Sequence, residues 1–116
     1  MPLSEELSKR WEEATTGYVV EGYGMTEASP IILGSPLSHD RIPGALGIPW
    51  PSTEIRIVDP ENPEVDVEEG QIGELIARGP QVFQGYLYNP EDTSLVLRNG
   101  WLFTGDLVQV RNGFVF

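Results

Sequence analysis

The sequence of 116 residues contains no cysteine. A disulfide framework and a cysteine-ligated metal site are therefore excluded. The absence of cysteine also fits the reducing cytoplasm, which is where we expect this protein. The chain is long enough to bury a hydrophobic core, and at this length it forms one domain at most.

Positive charge is scarce in this chain. Seven lysines and arginines stand against 18 aspartates and glutamates, so the formal net charge is −11. Nucleic acids and anionic membranes both require a positive surface, so the charge balance predicts that neither is a partner. No apolar run approaches the roughly 20 residues needed to span a bilayer, and the charged start predicts neither a transmembrane segment nor a secretory leader.

Glycine and proline, by contrast, are abundant, with 13 and 10 copies. This content predicts many turns and short strands in place of long helices. One amphipathic helix is predicted near the N-terminus, from a Ser4 cap to about Ala14, with Gly17 as its C-terminal cap. Its apolar stripe includes Trp11, which we expect to be buried in the core because buried aromatic residues are common.

Patterns further along the chain predict strands and one more helix. Residues 54–58 and 73–79 carry the alternating apolar residues of strands, and Asn112-Gly113 predicts a tight hairpin. Asn89 and Pro90 predict the start of a short helix, which Asn99-Gly100 must end. The fold class predicted is α+β, with mostly short strands forming a distorted barrel or sheet, one N-terminal amphipathic helix and one short helix near residue 90.

The chain is organised around residues 21–27, Glu-Gly-Tyr-Gly-Met-Thr-Glu, which follow an apolar run, 18–20, expected to end a buried strand. Glycines at alternate positions allow a tight turn or a close approach to a ligand. An aromatic ring can stack on a flat base, a hydroxyl can bind a phosphate oxygen, and a carboxylate can hold a divalent cation. An ordinary turn with a core tyrosine and a solvated glutamate explains the same residues, so this stretch alone leaves both interpretations open.

Further blocks follow in a fixed order: Gly73-Glu74-Leu75, Gly79, Gly85-Tyr86 and Trp101-Leu102-Phe103-Thr104-Gly105-Asp106. Together with residues 21–27, this set resembles the adenylate-forming enzymes, which include acyl-CoA synthetases, luciferases and peptide-synthetase adenylation domains. The resemblance covers nearly the whole chain. Methionine at position 25, followed by Ala28-Ser29-Pro30, is most similar to the branch of fatty- and aryl-acid CoA ligases, because adenylation domains usually carry proline there.

The resemblance implies a much longer protein, with residues 1–116 forming a single fragment of its large N-terminal AMP-binding domain. The phosphate-binding loop would precede this fragment, and a C-terminal domain with a catalytic lysine would follow it. The parent would be an ATP-dependent acid–CoA ligase, an AMP-forming acyl-CoA synthetase, with a long-chain fatty acid as the expected substrate. ATP, Mg²⁺ and coenzyme A are the implied cofactors, and the fragment alone is expected to be inactive.

The resemblance also assigns roles residue by residue. Tyr23 would stack on adenine, and Gly24 and Met25 would line the junction of the nucleotide and acyl sites. Thr26 would bind the α-phosphate, and Glu27 would hold Mg²⁺, so these two are the expected catalytic residues. Asp106 would accept hydrogen bonds from the two ribose hydroxyls. Without the resemblance, Asp106 is equally well explained as a turn residue before a strand.

Two other functions remain open at this point. A small acidic β-rich module that binds a protein partner would explain the charge and the glycine content, because no complete catalytic set lies within the chain. An adenylating enzyme with a different acceptor, such as a carrier-protein thiol or oxygen, would share the same motifs. Neither the oligomeric state nor the length of the acyl chain follows from the sequence.

Overall fold

The computed structural model describes residues 3–116. Two helices and nine short strands account for most of the regular structure in that range. Their bounds are α1 (Glu5–Thr15), β1 (Gly22–Gly24), β2 (Ile31–Gly34), β3 (Ile48–Pro49), β4 (Glu54–Val58), β5 (Gly73–Arg78), α2 (Pro90–Val96), β6 (Leu97–Arg98), β7 (Trp101–Val108), β8 (Val110–Arg111) and β9 (Phe114–Val115), with a 3-10 helix (Thr26–Ala28) between β1 and β2.

The strands form three antiparallel sheets, with orders β1-β2-β3, β4-β5-β7-β6 and β8-β9. This curled arrangement of short strands with two helices confirms the predicted α+β class. Strand β5 lies inside the largest sheet, and its Leu75, Ile76 and Ala77 are at most 1% exposed. Leu33 of β2 and Leu102 of β7 are fully buried in the same apolar cluster, so the core lies between the first two sheets.

Turn chemistry fixes the connections in the second half of the chain. Asn99 and Gly100 both have positive φ, 52° and 80°, and join β6 to β7. Asn112 and Gly113, at 51° and 81°, join β8 to β9 in the same way, which confirms the predicted hairpin. Asn89 caps α2 by accepting a hydrogen bond of 3.0 Å from the backbone N–H of Asp92, as the sequence predicts.

Helix α1 starts as predicted but ends differently. The Ser4 hydroxyl accepts a hydrogen bond from the Leu7 backbone N–H at 3.3 Å. The residue in the left-handed conformation at the C-terminal end is Thr16, with φ of 56°, and not Gly17. The Gly17 prediction is wrong because the Thr16 N–H already closes the helix on the Glu12 carbonyl, 2.9 Å away.

Two burial predictions for this end of the chain are also wrong. Trp11 is 48% exposed, and the run expected to end a buried strand has Tyr18 at 51% and Val20 at 45% exposure. Strand β1 begins only at Gly22, and residues 18–20 pair with no strand in the part of the chain that the structure describes. Their apolar pattern is real, but the described residues cover it only in part, with Arg41 and His39 against the Tyr18 ring. No helix within residues 3–116 has the length and apolar character that crossing a bilayer requires.

Candidate functional site

The central motif, residues 21–27, begins in strand β1, where the pairing between two strands is irregular. The pairing of β1 with β2 shifts between Tyr23 and Gly24. A Cβ at Gly24 would lie 1.8 Å from the carbonyl oxygen of Pro30, and the Met25 backbone N–H donates to that same oxygen at 2.7 Å. Position 24 therefore requires glycine because β2 approaches so closely, whatever ligand lies nearby.

In the 3-10 helix Thr26–Ala28 that follows, exposed and buried residues lie side by side. Ala28 is fully buried and Met25 packs against the core, so both anchor the turn. Thr26 is exposed, and its hydroxyl makes no hydrogen bond to any residue between 3 and 116. The anchoring leaves the Thr26 hydroxyl free to bind an external oxygen.

Asp106 lies within strand β7, not in a turn before a strand. Strands β5 and β7 pair on either side of Leu75, but the three residues 104–106 stand opposite that one residue. Such a bulge redirects side chains away from the regular alternation of a sheet. Gly105 has φ of 74°, a conformation that favours glycine, and it places Asp106 at the protein surface.

The two halves of the predicted nucleotide site meet in the structure. The Tyr23 hydroxyl donates a hydrogen bond of 2.5 Å to Oδ2 of Asp106, across 83 positions of sequence. Burial, together with this bond to Asp106, raises the pKa of the Tyr23 hydroxyl far above its ordinary value. The tyrosine therefore stays protonated and remains a donor at neutral pH.

Further residues that the sequence analysis did not select hold Asp106 in place. The Thr104 hydroxyl donates to the Leu75 carbonyl at 2.7 Å and accepts from the Asp106 N–H at 3.2 Å. Oε1 of Glu74 accepts from the Gly105 N–H at 3.1 Å. Thr104 and Glu74 both belong to the motif blocks in the sequence, which is the signal that points to them.

Glu27 has a partner that sequence reasoning also missed. The hydroxyl of Tyr86, 59 positions away, donates to Oε1 of Glu27 at 2.6 Å. This bond, followed by one to the Glu27 backbone N–H, lowers the pKa of the Glu27 carboxyl below its usual value. The same bond raises the pKa of Tyr86. Glu27 therefore presents an ionised carboxylate, and its Oε2 accepts no hydrogen bond from another residue within residues 3–116.

An open cavity of about 630 Å³ lies beside the Tyr23–Asp106 pair. This volume is in the range of small-molecule sites. Most of its lining is apolar and includes Val20, Leu107 and Phe116. Thr26 and Glu27 are not part of the lining, so the structure brings Tyr23 and Asp106 together at one cavity and leaves Glu27 on a separate contact with Tyr86.

Comparison with known proteins decides between the interpretations of this arrangement. Residues 1–87 match the model of the family described as AMP-binding enzyme. The chain belongs to this family. The resemblance inferred from the motifs is thereby confirmed.

Individual AMP-binding enzymes are similar over nearly the whole chain. A long-chain-fatty-acid–CoA ligase of Escherichia coli O157:H7 is 43% identical over 116 residues, which are 99% of this chain and 20% of that protein. The ATP-bound crystal structure of MatB from Rhodopseudomonas palustris is 37% identical with a TM-score of 0.88, covering 98% of this chain and 23% of that one. The anthranilate CoA ligase AuaEII, in complex with anthranoyl-AMP, is 30% identical with a TM-score of 0.89, covering 100% and 22%. The chain thus spans about a fifth of the length of its relatives.

The resemblance of the motifs implies a divalent cation, and the described residues offer one carboxylate for a cation whose other ligands come from the nucleotide and water. Among residues 3–116 no three His, Asp or Glu side chains cluster as a protein-only metal site. Mg²⁺ typically uses one or two carboxylates and completes its shell with waters and substrate phosphates. Within the described part of the chain, Oε2 of Glu27 accepts no hydrogen bond from another residue and has the chemistry of such a single ligand.

Proposed function

We propose that this chain is part of the large AMP-binding domain of an ATP-dependent acid–CoA ligase that acts on long-chain fatty acids. The contact between the Tyr23 hydroxyl and Asp106, in a chain 43% identical to a long-chain-fatty-acid–CoA ligase, is the observation that carries the proposal. The phosphate-binding loop and the domain with the catalytic lysine belong to other parts of such a ligase. We expect no turnover from residues 1–116 alone.

The reaction proceeds in two steps. An oxygen of the fatty-acid carboxylate attacks the α-phosphorus of ATP, the bond to the β-phosphate oxygen breaks, and acyl-adenylate and pyrophosphate form. The sulfur of coenzyme A then attacks the acyl carbon, its proton is lost, and AMP leaves. Attack by an anion on a phosphate depends mainly on positioning and on charge neutralisation, so few covalent roles are required of the protein.

Tyr23 and Asp106 bind the nucleoside in this proposal. The tyrosine ring stacks on adenine, while its hydroxyl holds Oδ2 of Asp106. A carboxylate has about four acceptor positions, so Asp106 retains capacity for both ribose hydroxyls after this bond is made. The bulge in β7 fixes the backbone that carries this carboxylate before the nucleotide arrives, and Thr104 and Glu74 support it by accepting hydrogen bonds from the Asp106 and Gly105 N–H groups.

The other motif residues act at the phosphates. The exposed Thr26 hydroxyl binds the α-phosphate, and Glu27 binds the Mg²⁺ of the nucleotide. A Mg²⁺ ion held there by Glu27 would supply positive charge to neutralise the charge that builds up during attack. Gly24 and Met25 line the junction of the nucleotide and acyl sites.

Asp106→Ala in the full-length protein tests the proposal. We expect kcat/KM for ATP, measured as pyrophosphate release that depends on added fatty acid, to fall by about 100-fold or more because the ribose is misplaced. Asp40→Ala, which removes an exposed loop carboxylate, is the matched control and should leave the rate unchanged. Undiminished release by Asp106→Ala would refute the nucleotide role, and the absence of any acid-dependent release by the unaltered protein would favour a binding module.

A further inference from the structure

Tyr86 holds Glu27 from a part of the chain with no regular secondary structure. It lies in the segment between β5 and α2, and its hydroxyl is 2.6 Å from Oε1 of Glu27. A tyrosine on a mobile loop would not fix a carboxylate, so Tyr86 can position Glu27 only if this segment is itself firmly attached.

Contacts on both sides attach the segment. The Phe83 backbone N–H donates to the backbone carbonyl of Glu27 at 2.8 Å. The rings of Phe83 and Tyr86 pack edge to face, with centroids 4.9 Å apart. On the other side, the Tyr86 N–H donates to the hydroxyl of Thr93 in α2 at 2.9 Å. Backbone and ring of Tyr86 are therefore both positioned independently of its hydroxyl.

The bond from Tyr86 also makes the two oxygens of the Glu27 carboxylate different. Oε1 of Glu27 accepts a hydrogen bond from the Tyr86 hydroxyl, whereas Oε2 accepts none from another residue within residues 3–116. A glutamate side chain has three rotatable bonds, and fixing one oxygen removes much of that freedom before a ligand binds. Hydrogen-bond partners of ligating carboxylates have this effect in metal sites generally.

We propose that Tyr86 is a positioning residue for the nucleotide's divalent cation: its hydroxyl holds Oε1 of Glu27 and leaves Oε2 to bind the cation. The inference rests on the proposed function, in which Glu27 is the cation ligand. It adds a residue that contacts neither nucleotide nor metal and acts only through Glu27.

The test compares Tyr86→Phe with Tyr88→Phe in the full-length protein. Tyr88 lies two positions away and is 94% exposed, so the same loss of a hydroxyl there is a matched control. Binding of Mn²⁺ in the presence of a non-hydrolysable ATP analogue is measured by electron paramagnetic resonance of the free ion. We expect Tyr86→Phe to weaken Mn²⁺ binding by about tenfold. Tyr88→Phe should bind Mn²⁺ like the unaltered protein. The melting temperatures of both variants should lie within a few degrees of that of the unaltered protein.

A double variant separates positioning from a general loosening of the fold. Because Tyr86 acts through Glu27, adding Tyr86→Phe to Glu27→Gln should weaken Mn²⁺ binding no further than Glu27→Gln alone. An equal loss in both backgrounds would overturn the inference, as would unchanged Mn²⁺ binding by Tyr86→Phe while Glu27→Gln binds poorly. Unchanged binding by Glu27→Gln itself would refute the proposed cation role of Glu27, and the inference with it.

Discussion

The four-stranded sheet and helix α1 are held in this chain by different kinds of interaction. In β5, Leu75, Ile76 and Ala77 are at most 1% exposed, and β4 and β7 pair with the two edges of the strand. In α1, Leu7 is 50% and Trp11 is 48% exposed, although the helix has an equally clear apolar stripe. The sheet is stabilised by apolar burial, and the helix is not.

Polar contacts attach α1 in place of apolar ones. Oε1 of Glu12 accepts a hydrogen bond of 2.9 Å from the Val19 N–H and forms an ion pair with the Arg41 guanidinium. The Arg41 guanidinium also lies 4.4 Å from the centre of the Tyr18 ring. An apolar stripe therefore shows which side of a helix is apolar, but not whether this chain provides the surface that covers it.

The largest contrast is expected between Leu75→Ala and Leu7→Ala. Removing a fully buried leucine leaves a cavity and should lower the free energy of unfolding by about 2–5 kcal/mol. Leu7 is half exposed, so its truncation should cost less than about 1 kcal/mol. Urea unfolding of the chain measures both values. Similar losses for the two variants would mean that the α1 face is covered in solution, for example by a second copy of the chain.

The same contrast recurs inside strand β1. Alanine at Gly24 would place its Cβ 1.8 Å from the Pro30 carbonyl oxygen, so the strands must separate, at a cost of about 3 kcal/mol in unfolding free energy. Alanine at Gly22 would meet its nearest atom at 3.6 Å, an ordinary contact, and should change stability by about 0.5 kcal/mol or less. The difference in stability between the two variants is measured by urea unfolding, as a shift of the midpoint when the dependence of unfolding free energy on urea concentration is the same for both. A tolerated Gly24→Ala would show that β2 can move away without loss.

The sequence predicts the sheet side of the molecule well because the deciding signals there are local. The asparagine–glycine pairs at 99–100 and 112–113 require positive φ, and Asn89 with Pro90 starts α2 by the same kind of short-range chemistry. Burial at Trp11 depends on what lies opposite the helix, which no local pattern contains. The chain spans about a fifth of its relatives' length, so local apolar patterns need not find their partners inside it.

In the candidate site, too, some features follow from local sequence patterns and others only from tertiary packing. The motif pattern selects Tyr23 and Asp106, and the structure brings them into contact, yet neither bulge that orients them is visible in the sequence. Tyr86 lies in a motif block, but its bond to Glu27 joins positions 59 residues apart and follows only from the packing of a loop. Whether the predicted residues bind nucleotide and metal stays a prediction for the experiments above.

The smallest expected effect concerns the polar attachment of α1. It is seen in how the stability of a Glu12 variant, relative to the unaltered chain, changes with pH. The Val19 N–H, and after it Arg41, lowers the pKa of the Glu12 carboxyl below its ordinary value of 4.5. A carboxyl with a lowered folded pKa stabilises the fold fully above its unfolded pKa, and that stabilisation is lost as the pH falls through the folded value. Glu12→Gln should therefore be less stable than the unaltered chain near neutral pH, and the difference should shrink as the pH falls below the ordinary carboxyl pKa of 4.5.

Glu6→Gln is the control for this prediction, because Glu6 is an exposed residue of the same helix. Urea unfolding of the three chains between about pH 3 and about pH 7 gives the stability differences. The Glu6→Gln difference should stay flat across the range, since removal of an exposed charge changes little in stability. A Glu12→Gln difference that is equally flat would mean that the contacts with Val19 and Arg41 do not attach α1. Helix α1 would then be attached neither by apolar burial nor by polar contacts. The sheet and the helix would differ in how firmly they are held and not in the kind of interaction that holds them.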